Sequence, residues 1–172
     1  MKIFLPRAFA RVLAAFAISA LATVAHAAEA ATPTAFFGFR MINTSLEETT
    51  PDEKRRLDVL EDILRTKLEQ SGTYRFVEIP NDVRAKIEAG PAIGECNGCE
   101  VELGKKLGAE RILWGTVQKV SNLILNLNVY MGDVATGQMT FVRSVDIRGN
   151  TDESWTAGLN YLLRNYLLPQ TK

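Results

Sequence analysis

A capped, leucine-striped helix lies between two strand-like runs, and that order limits the fold more than any other feature of the chain. Thr50-Pro51-Asp52-Glu53 places Thr at the N-cap, Pro at the first helical position and Glu three residues after the cap. Leu57, Leu60, Leu64 and Leu68 follow at three- and four-residue spacing, and Ser71-Gly72 ends the helix. Each leucine contributes roughly 1.5–3 kcal/mol on full burial, so the stripe must lie against a sheet. Upstream, Ala35 to Ile42 is apolar on both alternations, as expected of a strand covered on both faces. Downstream, Tyr74 to Ile79 reads as a second strand, stopped by Pro80-Asn81. Strand, helix and strand in such close order predict a right-handed crossover with the two strands parallel.

The pattern then changes twice. Asp82 to Ala89 reads as a short helix with Asn81 as its cap, and Gly90 to Gly98 as a Gly- and Pro-rich loop. Cys99 to Leu107 reads as a helix closed by Gly108. Arg111 to Val120, Leu123 to Met131 and Met139 to Arg148 are consecutive strand-like runs, and links as short as Ser121-Asn122 allow only antiparallel neighbours. Asn150-Thr151-Asp152-Glu153 reads as the cap of a last helix carrying Trp155, Leu159, Leu162, Leu163 and Tyr166, with Pro169 beyond its end. The expected fold is α/β (α+β): a single mixed-sheet sandwich over residues 35–168, with βαβ, short helices, a three-stranded meander and a closing helix.

Met1 to Ala27 is expected to be a signal peptide. Lys2, Arg7 and Arg11 form a basic n-region, Val12 to Ala25 a small-apolar run, and Ala25-His26-Ala27 a small-x-small cleavage site. The run is shorter than the roughly 20 residues a membrane-spanning helix needs. Ala28 to Thr34 reads as a flexible lead-in. Cleavage leaves about 145 residues, the size of one compact domain with a real core. It also removes the only histidine, His26, and three basic residues from a chain with 20 basic and 20 acidic ones. The remaining surface is mildly acidic, with no basic stripe for phosphates, which argues against nucleic acid as a partner. Proton transfer would fall to carboxylates, lysines, tyrosines and thiols, and Ser–His or Cys–His nucleophiles are impossible.

Cys96-Asn97-Gly98-Cys99 is the sharpest chemical feature. In an oxidising compartment the two thiols tend toward a disulfide, and that structural reading is the expectation. The alternative is a thiol–disulfide redox pair, with Cys96 near a helix N-terminus that would favour its thiolate. Zinc would need Glu95, Glu100 or Glu102 to complete its ligands, and Glu100 stands where covalent haem would require histidine. Neither metal nor cofactor is expected. In the meander, Leu123, Leu125, Leu127, Val129 and Met131 alternate with Asn126, Asn128 and Tyr130, while Thr140, Ser144, Asp146 and Arg148 alternate with Phe141, Val145 and Ile147. Asn126, Asn128, Tyr130, Ser144, Asp146 and Arg148 are therefore the candidate binding residues, set against a plain solvated face. Glu47, Glu48, Asp52 and Glu53 read as a solvated loop and helix start, Glu153 as completing a capping box on Asn150, and Asp152 as favoured by the helix dipole.

Leu107 to Val117, followed by Tyr130 to Gly137, resembles a stretch of the TolB N-terminal domain. It also resembles the related curli-secretion and penicillin-binding-protein-activator lipoproteins. Asn43 to Glu47, Cys96 to Cys99, Lys119 to Leu125 and Arg148 to Trp155 resemble an uncharacterised family of secreted proteobacterial proteins, a domain of unknown function. That resemblance implies an exported accessory protein, associated with periplasmic quinoprotein alcohol oxidation, and names no catalytic residue. The lipid-attachment cysteine of the lipoproteins is missing here, so their anchoring is not carried over.

These readings converge on a periplasmic, non-enzymatic module that binds a protein partner or small polar ligand, with a redox protein using Cys96 and Cys99 as the alternative. The exported protein is expected to begin at Ala28 and to fractionate as soluble. Intact mass checks this, and a membrane-bound species retaining Met1 to Ala27 would refute it.

Overall fold

The computed structural model describes residues 30–168; the expected leader and Pro169 lie outside the described residues. A five-stranded mixed sheet has the order β2-β1-β3-β4-β5. The elements are β1 (Thr32–Asn43), α1 (Pro51–Gln70), β2 (Tyr74–Phe76), α2 (Asn81–Ala89), α3 (Cys99–Lys106), β3 (Arg111–Lys119), β4 (Ile124–Asp133), β5 (Met139–Arg148) and α4 (Asp152–Leu162). A single π-turn, Leu163–Leu167, ends the described chain. β1 runs parallel to both β2 and β3, and β3, β4 and β5 form the antiparallel meander. None of the described helices is long and apolar enough to cross a membrane.

The α1 start forms as expected: Thr50 Oγ1 accepts from Glu53 N–H at 3.2 Å and Glu53 Oε2 from Thr50 N–H at 2.7 Å. Leu60, Leu64 and Leu68 are fully buried against Phe36, Phe39, Leu113, Val117 and the odd-numbered face of β4. Trp155, Leu159, Leu162 and Leu163 bring α4 to the same side. A smaller cluster covers the opposite face only at one end, where Ala35, Ile112, Trp114 and Val134 meet Phe37, Ile93 and Val101. The sheet is thus sealed on one side and half-covered on the other.

Several boundaries differ from the sequence reading. β1 begins at Thr32 rather than Ala35, because Thr32, Pro33 and Thr34 pair with β2. β2 ends at Phe76 instead of Ile79. The reason is a bulge in β1, where the register to β3 shifts between Phe36 and Phe39 and Gly38 takes φ +84°. Past it, Glu61 of α1 accepts the Phe39 N–H at 2.8 Å, where a paired strand would have supplied a carbonyl. Asn81 is the first helical residue of α2 and makes no side-chain cap. Leu123 lies in the β3–β4 turn and is exposed, not core, and Tyr166 of the π-turn is also exposed. The cap of α4 is Thr151, whose side chain accepts from Ser154 N–H, not Asn150.

Gly115 is the tightest point of the sheet, because a Cβ there would stand 2.1 Å from the Phe39 ring. Gly115→Ala is expected to destabilise the protein by about 1–3 kcal/mol through overpacking. Urea unfolding checks the value, and an unchanged midpoint would show that Phe39 moves aside freely.

Candidate functional site

The uncovered half of the sheet carries the predicted polar residues in register. Arg40 of β1 pairs with Thr116 of β3, Thr116 with Asn128 of β4, and Asn128 with Ser144 of β5. The next row is Ile42, Gln118, Asn126 and Asp146. Asn128 Nδ2 donates to Thr116 Oγ1 at 3.1 Å and Asn126 Nδ2 to Asp146 Oδ1 at 3.1 Å. The Ser144 hydroxyl lies 2.5 Å from Asn126 Oδ1 and 2.7 Å from Asn128 Oδ1, and its one proton can serve only one of them at a time. The asparagines therefore hold one another in place while staying at the surface. Asp146 also pairs with Arg148 at 3.5 Å, an exposed contact worth little to stability. Tyr130 departs from the set. It stacks on Trp114 at 5.2 Å between ring centroids, so it closes the covered end of the face.

Where cover gives way to the open face lies a cavity of about 310 Å³ that the sequence reading missed. Trp114, Ile79, Ile87 and Ile93 form its apolar wall, and Arg40 and Thr116 join it to the polar row. Glu61 also lines it, and burial pushes that carboxyl above its ordinary value despite the hydrogen bond from Phe39 N–H. No sequence signal marks this cavity, since its residues come from β1, β3, α1, α2 and the loops on either side of α2.

Cys96 and Cys99 form a disulfide with Cα atoms 5.4 Å apart, spanning the turn that leads into α3. Asn97 and Gly98 take positive φ values of 55° and 90°, which is the conformational reason for an Asn-Gly pair inside so small a ring. Glu100 Oε2 lies 3.2 Å from Cys96 Sγ. Cys96, Cys99 and Glu100 form the one cluster of potential metal donors among the described residues. Both sulfurs are committed to each other, which leaves only the carboxylate as a donor.

The acidic loop and helix start are not simply solvated. Glu53 is fully buried, and its Oε1 lies 2.8 Å from Lys119 Nζ, a lysine only 1% exposed. Glu47 reaches the same ammonium at 3.1 Å and accepts from Asn122 at 2.7 Å. Asn150 donates to Glu53 Oε1 at 2.6 Å and to Asn122 at 3.0 Å, and accepts from Trp155 Nε1 and from Arg56, each at 3.1 Å. Its amide is thus fully occupied, which explains why Thr151 takes over the α4 cap. Asp152 does not act as a simple helix-dipole partner either, because Arg55 and Arg56 hold it at 2.8 and 2.6 Å. Burial alone would push the Glu53 carboxyl up. Hydrogen bonds from Lys119, Thr50 N–H and Asn150, with the Lys119 charge, outweigh it and hold the group below its ordinary 4.5.

Residues 32–167 match the family DUF3280, described as a protein of unknown function (DUF2380), and the chain belongs to it. Among solved structures, PelC from Paraburkholderia phytofirmans, described as a dodecamer, is similar at a TM-score of 0.50 and 15% identity, covering 81% of this chain and 90% of that one. The LpoB C-terminal domain from Salmonella enterica gives 0.47 and 15%, with 69% and 84% covered. Lipoprotein GNA1162 from Neisseria meningitidis gives 0.49 and 13%, with 79% and 99% covered. Comparison with curated proteins finds no match. At 15% identity the likeness to PelC shows a shared fold.

Lys119→Met is expected to cost about 3–5 kcal/mol, since it strands a buried carboxylate, and adding Glu53→Gln should restore much of the loss. A depressed carboxyl stabilises the fold above its unfolded value of 4.5, and that stability is lost as pH falls through the lower folded value. Glu53→Gln should therefore flatten the acid limb of the stability curve. Urea midpoints measured from neutral pH to about pH 3 check both statements.

Proposed function

We propose that this protein is an exported, non-catalytic accessory module of the cell envelope, and that it binds a partner through the open polar face of β3, β4 and β5. The observation that carries the reading is the row Thr116, Asn128, Ser144, Asn126 and Asp146, held in mutual hydrogen bonds on a half-uncovered sheet. Its amides and hydroxyls recognise by hydrogen bonding and do not titrate near neutral pH, so such a row suits recognition better than acid–base chemistry. Asparagine also has low strand propensity, so two at alternating strand positions call for a use beyond folding. The leader-like N-terminus and the disulfide agree with an oxidising compartment outside the cytoplasm.

The family resemblance, which implies an exported accessory protein, supports that setting. Within the envelope, quinoprotein alcohol oxidation is the system that the family resemblance names. Pull-down from periplasmic extract, with the polar row intact and altered, tests both the module and its partner.

Replacing Asn126 and Asn128 together by Thr, a better strand former, is expected to leave melting unchanged or slightly higher and to weaken partner capture. Capture and melting are measured on the same preparation. Unchanged capture would return the face to plain solvent, and a large fall in stability would make the amides structural.

A further inference from the structure

The two edges of the sheet are finished differently. At the β5 edge, Arg143 folds back and donates to the Val142 carbonyl at 2.8 Å, which sets a cation over that edge. At the β1 edge, pairing with β2 reaches only Thr34, although β1 continues to Asn43. The backbone shows which groups this leaves open. Thr32 N–H and the Thr34 carbonyl face β2, with hydrogen bonds of 2.8 Å to Thr73 and 3.0 Å from Val77. The bulge after Phe36 adds one residue and reverses the alternation, so Phe39 N–H points outward and meets Glu61. Thr44 N–H accordingly points inward, to the Lys119 carbonyl at 2.9 Å. The Phe39 carbonyl, both backbone groups of Met41 and the Asn43 N–H therefore face outward, beyond the reach of β2.

This open stretch borders the cavity between β1 and α2. Phe37, Gly38, Phe39, Arg40 and Ile42 of β1 line it, Trp114, Ile79 and Ile87 give it an apolar wall, and Arg84, Glu88 and Glu95 add charged groups around that wall. We infer that the β1 edge from Phe39 to Asn43 is a docking site for an extended segment of a partner protein, which adds as a strand in line with β2. The segment would hydrogen-bond to the Phe39 carbonyl, to Met41 and to Asn43 N–H, while a bulky apolar side chain enters the cavity beside Trp114. Glu61 keeps the Phe39 N–H and marks one end of the added ladder. Backbone bonds supply affinity in such strand addition, and the cavity supplies selectivity. This site adjoins the polar row at Arg40 and Thr116 but does not rest on it.

A phage library of random linear dodecapeptides, panned on the folded protein, tests the inference. Peptides sharing a bulky apolar residue are expected to enrich and to slow hydrogen exchange at the Met41 amide. Met41→Pro, which removes the donor at an edge position, and Ile87→Asp in the cavity wall should each weaken binding at least about tenfold. Failure to enrich peptides, unaltered Met41 exchange in the wild-type complex, or full binding by both folded variants would overturn it. The exchange measurement needs no variant, so it decides the matter even if a substitution unfolds the chain. Asn126→Thr with Asn128→Thr should leave peptide binding unchanged, so this site can fail or stand independently of the polar face.

Discussion

A lysine with 1% of its surface exposed, facing a carboxylate with none, fixes how three parts of this molecule meet. Lys119 ends β3, Glu53 lies in the first turn of α1, and Asn150 precedes α4. An ion pair so deeply buried gives little net stability over an apolar replacement, but breaking one half of it is costly. Its value lies in the geometry it imposes. Glu53 also closes the α1 capping box, so one carboxylate caps a helix, neutralises a buried ammonium and anchors the turn into α4. The two helices that seal one face are therefore registered against the end of β3 by directional bonds as well as by leucine burial.

That sealed face leaves the opposite one open in part. Cover there comes from α3 and the loop after α2, and it stops where Trp114 stacks on Tyr130. Beyond that step the strands present amides and hydroxyls, and beneath it the bulge in β1 opens a cavity. The bulge is the common cause of two features: it ends β2 early, and it turns Phe39 N–H outward to the Glu61 carboxylate. A local irregularity of one residue thereby creates an unpaired edge beside a pocket with one apolar wall.

Three of the four segments that carry the family resemblance meet at the buried ion pair. Asn43 to Glu47, Lys119 to Leu125 and Arg148 to Trp155 supply Glu47, Lys119, Asn122, Asn150 and Trp155 to one hydrogen-bonded cluster. What these segments share is thus largely an account of how the fold is held, which explains why the resemblance names no catalytic residue. The fourth segment, Cys96 to Cys99, closes the turn into α3.

The amino-acid sequence by itself determined the order of elements, the parallel crossover, the α1 cap, the antiparallel meander and the polar alternation of β4. All of these depend on periodicity and on bonds between residues a few positions apart, and these are written along the chain. The tertiary structure alone decided the fate of Glu53 and Lys119. A buried carboxylate and a solvated one look alike until a partner 66 positions away in sequence arrives beside it. It likewise decided that Tyr130 stacks under cover, that Leu123 is exposed in a turn, and that Glu61 replaces a strand at the β1 edge. Local periodicity reports which face a side chain takes. Only the packed chain reports what covers that face, because cover and charge pairing are supplied by segments distant in sequence.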